Sequence, residues 1–235
     1  MIVQSIKNLF RTRRNNDGFS IICVFNNRAK LDHFLLPSLR EQSVPFEFIG
    51  IDNQAGNFAS APQVLNEAAK RAKFDHLMFV HQDVALDSPH WLAEVQDTLK
   101  QLGNYGAVGV AGASEGGLHG NVLHGDPPRR ASPRRLGHVT AVQTLDGCLM
   151  IVPKPIFAEE GFDEETCGGW HLYVADYCLD LVRRGLKVYV LPQGVYHESM
   201  GPSDPSVYET PRRALLMKHR DHVPKVYMTV GTWET

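Results

Sequence analysis

The sequence predicts an α/β protein in which helices flank a mostly parallel central sheet. Two observations predict this fold class. In the N-terminal half of the 235-residue chain, short apolar runs of strand length alternate with stretches of helical spacing. Each of the first three apolar runs also ends in Asn, Asp or His. Polar residues at the carboxyl ends of parallel strands gather along one edge of a sheet, which is where open α/β folds bind ligands.

The first strand is predicted over residues 19–25, an apolar and β-branched run that ends in Asn26 and Asn27. A helix follows over about residues 31–42, because its apolar side chains recur at helical spacing. Pro37 lies inside this helix and marks either a kink or a later helix start. This first unit therefore delivers two amides to the carboxyl end of a buried strand.

The second strand is predicted over residues 46–51 and ends in another polar pair, Asp52 and Asn53. The alanine-rich stretch 63–73 predicts the next helix, and Pro62 suits its first turn because proline is tolerated there. We therefore expect a second group of polar side chains at the same edge of the sheet.

The third strand, residues 77–80, stops abruptly at the polar triplet His81-Gln82-Asp83. An apolar run this short suits a buried strand better than a helix, which needs more length. The triplet would bring an imidazole, an amide and a carboxylate together at the binding edge. We expect Asp83 to be a metal ligand. Three successive strand–helix alternations indicate parallel strands with right-handed crossovers.

The C-terminal half continues the alternation but contains a long segment without periodicity. Helices are expected over residues 91–102, 173–184 and 211–220, and strands over 108–112, 139–152 (one or two strands), 186–191 and 195–197. Residues 114–137 are rich in Gly, Pro, His and Arg and predict a mobile loop or lid. Its arginines either hold a phosphate or an acidic acceptor, or are simply solvated. An irregular tail is expected after residue 220.

Composition excludes several classes of protein. The formal net charge of −2 argues against a nucleic-acid-binding protein. No run approaches the roughly 20 apolar residues of a membrane-spanning helix. The N-terminus lacks the apolar core and cleavage site of a secretory signal. The four cysteines form no metal-binding pattern. Cys23, Cys148 and Cys178 lie in apolar segments and are expected to be buried reduced thiols, as in a cytoplasmic protein.

The length fits one large domain with short additions at both ends. Residues 1–17 are a basic lead segment, which either lies on an anionic membrane surface as an amphipathic helix or covers the surface of the domain. Residues 18–201 form the domain itself, and residues 202–235 form an extension that packs on it. The expected location is therefore the cytoplasm, either free or at the inner face of the membrane.

In their order and spacing, these features resemble the inverting glycosyltransferases of family 2, which have the GT-A nucleotide-sugar fold. The resemblance covers about residues 19–201. It is carried by the strand ending Ile51-Asp52-Asn53, Asn66 in the next helix, the triplet 81–83, the turn Gly-Phe-Asp-Glu at 161–164, the helix 173–185 and the strand 188–197 that ends in His197. The family's metal motif is Asp-x-Asp, so His81 replaces its first carboxylate.

The resemblance implies a nucleotide-sugar donor and a divalent metal, either Mn²⁺ or Mg²⁺. Asp83 and His197 would hold the metal, which neutralises the charge that develops on the departing nucleoside diphosphate. The side chains expected to bind the donor are Asn26, Asp52, Asn53, Asn66, His81 and Gln82. His81 would face the ribose or a phosphate, and Gln82 would either join it or only act as a spacer.

An inverting transfer also needs a base that takes the proton of the attacking hydroxyl. The resemblance puts Val174 at the position of the family's usual base and Asp176 at the second acidic position of the same helix. Asp176 and His171 are the nearby groups able to accept a proton. The alternatives are that Asp176 only caps the helix or orients a neighbour, and that His171 is a partly buried structural residue.

The function implied by the resemblance is an inverting transfer of a sugar from a nucleotide donor to a hydroxyl of a saccharide or lipid-linked acceptor, in polysaccharide or glycolipid synthesis. A second hypothesis is a nucleotide-sugar-binding or scaffold protein without catalysis, which Val174 and His81 favour. A third is a nucleotidyltransferase, although no Gly-rich phosphate loop followed by Lys lies near the first strand.

Overall fold

The computed structural model describes residues 16–199, 201 and 204–235. The basic lead segment, residues 1–17, lies almost entirely outside the described residues, so its contact with a membrane stays a prediction, as do the domain boundaries. No helix in the described part of the chain has both the length and the apolar character needed to cross a bilayer.

The helices and strands alternate through most of the described chain. The helices are α1 (Arg28–His33), α2 (Leu35–Arg40), α3 (Ala61–Lys70), α4 (Trp91–Gln101), α5 (Lys154–Glu160), α6 (Tyr173–Arg183) and α7 (Glu209–His219), with a 3-10 helix over Pro205–Tyr208. The strands are β1 (Phe19–Phe25), β2 (Phe46–Asp52), β3 (His76–Val80), β4 (Val84–Leu86), β5 (Tyr105–Gly109), β6 (Ala111–Ser114), β7 (Gly117–Gly120), β8 (Val122–His124), β9 (Arg129–Arg130), β10 (Thr140–Val142), β11 (Thr144–Leu145), β12 (Leu149–Pro153), β13 (Lys187–Val190), β14 (Val195–His197), β15 (Lys225–Met228) and β16 (Gly231–Glu234).

A seven-stranded sheet forms the centre of the molecule, in the order β10-β13-β5-β12-β3-β1-β2. The first three strands are parallel, as predicted. Strand β12 runs antiparallel between β3 and β5, and β10 runs antiparallel to β13 at the edge. The other five strands of this sheet all run in the same direction, so the expectation of a mostly parallel sheet is confirmed. The side chains of β12 are all buried, and such an apolar run does not reveal the direction of its strand.

Hydrophobic clusters cover both faces of the central sheet. Along β1, Ile22 faces the cluster that packs on α3 and α6, while Ile21 and Cys23 face the cluster that packs on α1, α2 and α4. This alternation follows from the two-residue period of a strand. Cys23, Cys148 and Cys178 are buried free thiols, as predicted, and Cys167 is one as well.

The helix predicted over residues 31–42 is divided into α1 and α2 at Phe34. Pro37 explains the break, because a proline ring inside a helix collides with the carbonyl four residues earlier, here that of His33. The chain interrupts the helix at Phe34, so Pro37 falls in the first turn of α2, where its missing N–H costs no hydrogen bond.

Two predictions of irregular structure are wrong. The segment 114–137, expected to be a loop, contains β7, β8 and β9. β7 pairs with β6, and β9 pairs with β8. β8 also pairs with β14, which joins segments far apart in the sequence. The tail after residue 220 forms the hairpin β15–β16. Apolar periodicity misses such strands because they are short and partly exposed.

Candidate active site

A cleft of about 980 Å³ opens at the carboxyl ends of β1, β2 and β3. Side chains from the ends of these strands line it on one side, and residues at the start of α6 line it on another. The segment that contains β7 and β8 and the turn between β15 and β16 also contribute to the wall. The cleft is therefore built from both halves of the chain.

Three potential metal ligands converge at one point of this cleft. His81 Nδ1 lies 3.4 Å from His197 Nε2, and His197 Nε2 lies 3.5 Å from Asp83 Oδ1. One ligand atom from each residue lies within 4.8 Å of the other two. Strand pairing builds this arrangement, because His197 is in register with Val84, next to Asp83. We call His81, Asp83 and His197 the metal group.

The electrostatics of the metal group suit a cation. Burial raises the pKa of Asp83, but the hydrogen bond with His197 and the neighbouring imidazoles outweigh it and bring the pKa to about 2. His81 opens to the solvent of the cleft, yet desolvation by the surrounding protein, helped by His197, lowers its pKa. An ionised carboxylate and a neutral imidazole are the forms that bind a metal.

Gln82 ties the ends of β1 and β3 together. Its side-chain oxygen accepts hydrogen bonds from the backbone N–H groups of Asn26 (3.0 Å) and Asn27 (2.8 Å). Its amide nitrogen donates to Oδ1 of Asn26 at 2.7 Å. Gln82 and Asn26 both line the cleft, so this clamp fixes the edge on which the metal group lies.

The polar residues after β2 have two different surroundings. Asn53 lines the cleft and organises its rim, because its amide accepts from the N–H of Phe58 (2.9 Å) and donates to the Phe58 carbonyl (3.0 Å). Asp52 is exposed and is not among the lining residues, and its carboxylate accepts from the backbone N–H and side-chain amide of Gln54.

Asn66 is not brought to the cleft. Its side-chain oxygen accepts from the N–H of Phe162 at 2.9 Å, and its amide donates to the Phe162 carbonyl and to Glu164, both at 2.9 Å. Gly161, with φ of 71°, passes so close that an added Cβ would lie 2.9 Å from the Asn66 oxygen. Asn66 therefore holds the Gly-Phe-Asp-Glu turn in place.

Asp176 is held outside the cleft lining by residues of α7. Its side chain is 1% exposed, with Oδ1 2.7 Å from His219 Nε2 and Oδ2 2.8 Å from Lys218 Nζ. Lys218 also donates to Asp180 (2.7 Å) and Asp163 (2.9 Å). We call these five residues the charged cluster. Both carboxylate oxygens of Asp176 are occupied by these contacts. The geometry therefore favours the alternative in which Asp176 orients its neighbours over the one in which it accepts a proton.

The pKa of Lys218 reflects this environment. Burial alone would lower it, but the hydrogen bonds and charges of Asp176 and Asp180 raise it above the usual range of lysine. The ammonium therefore stays charged and neutralises the acidic side chains around it. His219, which no sequence pattern singles out, is buried against Asp176 as part of the same cluster.

His171 does line the cleft, at the entrance to α6. Its imidazole is half-buried and packs edge-on against Tyr208, with ring centroids 5.1 Å apart. Leu172 adopts a left-handed conformation with φ of 68°, which is rare for a bulky side chain and turns the chain into the helix. Burial lowers the pKa of His171, so a neutral imidazole faces the cleft near pH 7.

Sequence reasoning missed Asp146, a carboxylate that also lines the cleft. It accepts from the N–H of Cys148 (2.9 Å) and from the hydroxyl of Thr229 (2.7 Å). Burial alone would raise its pKa, but these bonds, chiefly that from Thr229, outweigh burial, lower the pKa below its usual range and keep the group ionised. The sequence signal that could have found it is the interruption of the apolar run 139–152 by Asp146 and Gly147.

His124 was missed as well, because its segment was expected to be a loop. It lines the cleft, and its Nδ1 lies 3.0 Å from the carbonyl oxygen of His197.

Large apolar side chains are exposed around the rim of the cleft. They are Phe58, Leu118, Trp170 and Val230. Phe58 lies on the side of Asn53, while Trp170 immediately precedes His171 and is 40% exposed. Such a group of exposed apolar residues in a cleft is typical of a binding surface.

Solved glycosyltransferases have the same fold. The structure of GalNAc-T7 with UDP, GalNAc and Mn²⁺ is similar with a TM-score of 0.57 and 12% identity, over 79% of this chain and 44% of that one. TarS 1-349 of S. aureus in complex with UDP gives a TM-score of 0.59 at 16% identity, over 86% of this chain and 65% of that one. The chain thus spans less than two thirds of each of these proteins. The fold is the expected GT-A fold.

Sequence comparison identifies the family. A curated relative from Fuscovulum blasticum, "ATP synthase subunits region ORF 6", is 26% identical over 218 residues, which is 88% of this chain and 85% of its own length. The model of the family described as "Glycosyltransferase like family" matches residues 20–219. The match covers most of the chain, so the protein belongs to this family of glycosyltransferases, as its resemblance to family 2 predicted.

Proposed function

We propose that the protein is an inverting glycosyltransferase that moves a sugar from a nucleoside diphosphate to a hydroxyl acceptor. One observation carries the proposal: the metal group and the neutral imidazole of His171 face the same cleft. A metal site next to a base is the pair of functions that this reaction requires. The family of the chain supports the same chemistry.

His81, Asp83 and His197 would hold a divalent cation. As a Lewis acid, the cation would neutralise the negative charge on the leaving diphosphate. His81 then belongs to the metal side rather than to the ribose. Two of these three ligands are imidazoles, whereas Mg²⁺ prefers oxygen ligands and retained waters. We therefore expect the site to favour Mn²⁺ over Mg²⁺.

His171 would act as the base. Its free imidazole nitrogen accepts the proton of the acceptor hydroxyl while the oxygen attacks the anomeric carbon of the donor sugar. The bond from that carbon to the diphosphate oxygen breaks on the opposite face, so the configuration inverts and the nucleoside diphosphate leaves. The lowered pKa of His171 favours this role, because the imidazole is unprotonated before the reaction.

The rim suggests where the two substrates lie. Asn53 and Phe58 would face the nucleoside, since an exposed aromatic ring beside an amide can stack on a base while the amide fixes the edge of the site. Trp170, Leu118 and Val230 would support the acceptor, a saccharide or lipid-linked glycan with an apolar face.

Titration calorimetry with UDP-, GDP- and dTDP-sugars, with Mn²⁺ and with EDTA, tests the site. We expect binding that requires metal and is lost in Asp83→Ala, while the exposed Asp221→Ala serves as the matched control. Absence of binding to the wild type under every condition would refute the proposal. Binding that persists equally in EDTA would refute the metal group.

Turnover separates catalysis from binding. We expect His171→Asn to bind the donor as the wild type does but to transfer sugar about 10²- to 10⁴-fold more slowly. The engagement of Asp176 by Lys218 and His219 is the observation that favours a non-catalytic binding protein, because it withdraws a carboxylate from the cleft. Donor binding without any transfer to saccharide acceptors, or equal turnover in His171→Asn, would favour that alternative.

A further inference from the structure

The small sheet β4-β14-β8-β9 brings an arginine towards the metal group. His197 on β14 is in register with His124 on β8, and His124 is in register with Arg129 on β9. Residues opposite each other on neighbouring strands project from the same face of a sheet. The rings of His124 and His197 do lie on one face, with centroids 5.4 Å apart. Arg129 therefore projects from the face that carries the metal ligand.

The neighbouring residues agree with this orientation. Ala131, two residues after Arg129 and hence on the same face of the chain, lines the cleft. Arg130 is in register with Leu123, which is in turn in register with Tyr196. Tyr196, Leu123 and Arg130 alternate along their strands with His197, His124 and Arg129, so Arg130 projects from the opposite face.

Arg129 also lies at a useful distance and carries an uncompensated charge. Two strand spacings separate β9 from β14, which puts the Arg129 backbone roughly 10 Å from that of His197. Arg129 is exposed, and none of the ion pairs between described residues involves it. Its guanidinium is therefore a bidentate donor without an ion-pair partner among the described residues, on a strand whose neighbours His124 and Ala131 line the cleft. Such a group is well suited to phosphate oxygens.

We propose that Arg129 binds a phosphoryl group of a substrate held in the cleft. The inference rests on the proposed function and extends it, since it assigns a second anion-binding element besides the metal. The phosphoryl group belongs either to the diphosphate of the donor or to a phosphorylated acceptor, and both have the same chemistry for a guanidinium.

The experiment compares Arg129→Ala with Arg130→Ala, which removes the same charge from the other face. Both side chains are exposed, so both variants should fold, and their thermal melting curves serve as the check. Calorimetry with UDP, GDP and dTDP in the presence of Mn²⁺ gives the donor arm. Calorimetry with a sugar 1-phosphate, against the same sugar without phosphate and at saturating nucleoside diphosphate, gives the acceptor arm.

If Arg129 binds the donor, Arg129→Ala weakens nucleoside diphosphate binding about tenfold or more, and Arg130→Ala does so far less. If it binds the acceptor, the same difference appears only with the sugar 1-phosphate. Arg129→Lys should recover part of the affinity, because it keeps the charge but not the fork of donors. If the wild type binds the donor but Arg129→Ala and Arg130→Ala have equal affinities in both arms, the inference about Arg129 is overturned. Absence of donor binding by the wild type overturns the proposed function itself.

Discussion

Replacement of Lys218 by methionine tests the charged cluster. The change leaves Asp163, Asp176 and Asp180 without the ammonium that donates to all three at 2.7 to 2.9 Å. The side chain of Lys218 is 25% exposed and that of Asp176 is 1% exposed. Removal of one partner from a buried ion pair costs about 3–5 kcal/mol. Asp163 and Asp180 are partly hydrated, so we expect the lower end, about 3 kcal/mol, or a fall in Tm of about 6–12 °C.

Urea unfolding followed by circular dichroism measures this loss. Lys100→Met is the matched control, because it removes an exposed helical lysine whose pair with Asp97 should contribute at most about 1 kcal/mol. Asp176→Asn in the Lys218→Met background should restore part of the stability, since the uncompensated buried charge is removed. A loss in Lys218→Met no larger than in Lys100→Met would refute the reasoning, and with it the structural role of Asp176.

Three further predictions follow from the cleft. Because burial lowers the pKa of His171 below its ordinary 6.5, kcat/KM at saturating Mn²⁺ should fall on acidification with a midpoint below 6.5, and His171→Asn should lack this step. A midpoint above 6.5 would contradict the assignment of the base. Trp170→Ala should raise the KM for a saccharide acceptor about tenfold and leave calorimetric donor binding unchanged; the reverse pattern would put Trp170 on the donor side. Thr229→Val should lower the free energy of unfolding by about 1–2 kcal/mol, because Asp146 loses a charge-assisted hydrogen bond, whereas Thr229→Ser keeps the bond and should unfold at nearly the wild-type urea concentration.

Local patterns in the sequence were sufficient for the first half of the sheet. The apolar runs at β1, β2 and β3 are bounded by polar residues, and the structure has all three strands within one residue of the predicted bounds. The triplet at the end of β3 indicated for the same local reason that His81, Gln82 and Asp83 would lie at the binding edge, and all three line the cleft. Its partner His197 came from the resemblance, since a single histidine after a strand is not distinctive.

Residues that depend on distant contacts could not be predicted in the same way. Asp176 has the spacing of a family motif, but its surroundings come from Lys218, 42 residues later. In the sequence, Asp146 only interrupts an apolar run. Its place in the cleft depends on a hydrogen bond from Thr229, 83 residues away. Within 114–137, β8 pairs with the distant strand β14 as well as with its neighbour β9. None of these contacts leaves a periodic signal in the segment that it organises.

The charged cluster also has a consequence for the order in which the chain is made. Asp163, Asp176 and Asp180 leave the ribosome before Lys218, which follows Asp180 by 38 residues. Until α7 arrives, the growing chain carries three neighbouring acidic groups with no lysine to hold them, in the region that later lies beside the cleft. The arrival of Lys218 and then of the hairpin with Thr229 both removes this repulsion and closes the wall of the cleft. Completion of the charged cluster and of this wall of the cleft therefore requires helix α7 and the hairpin β15–β16.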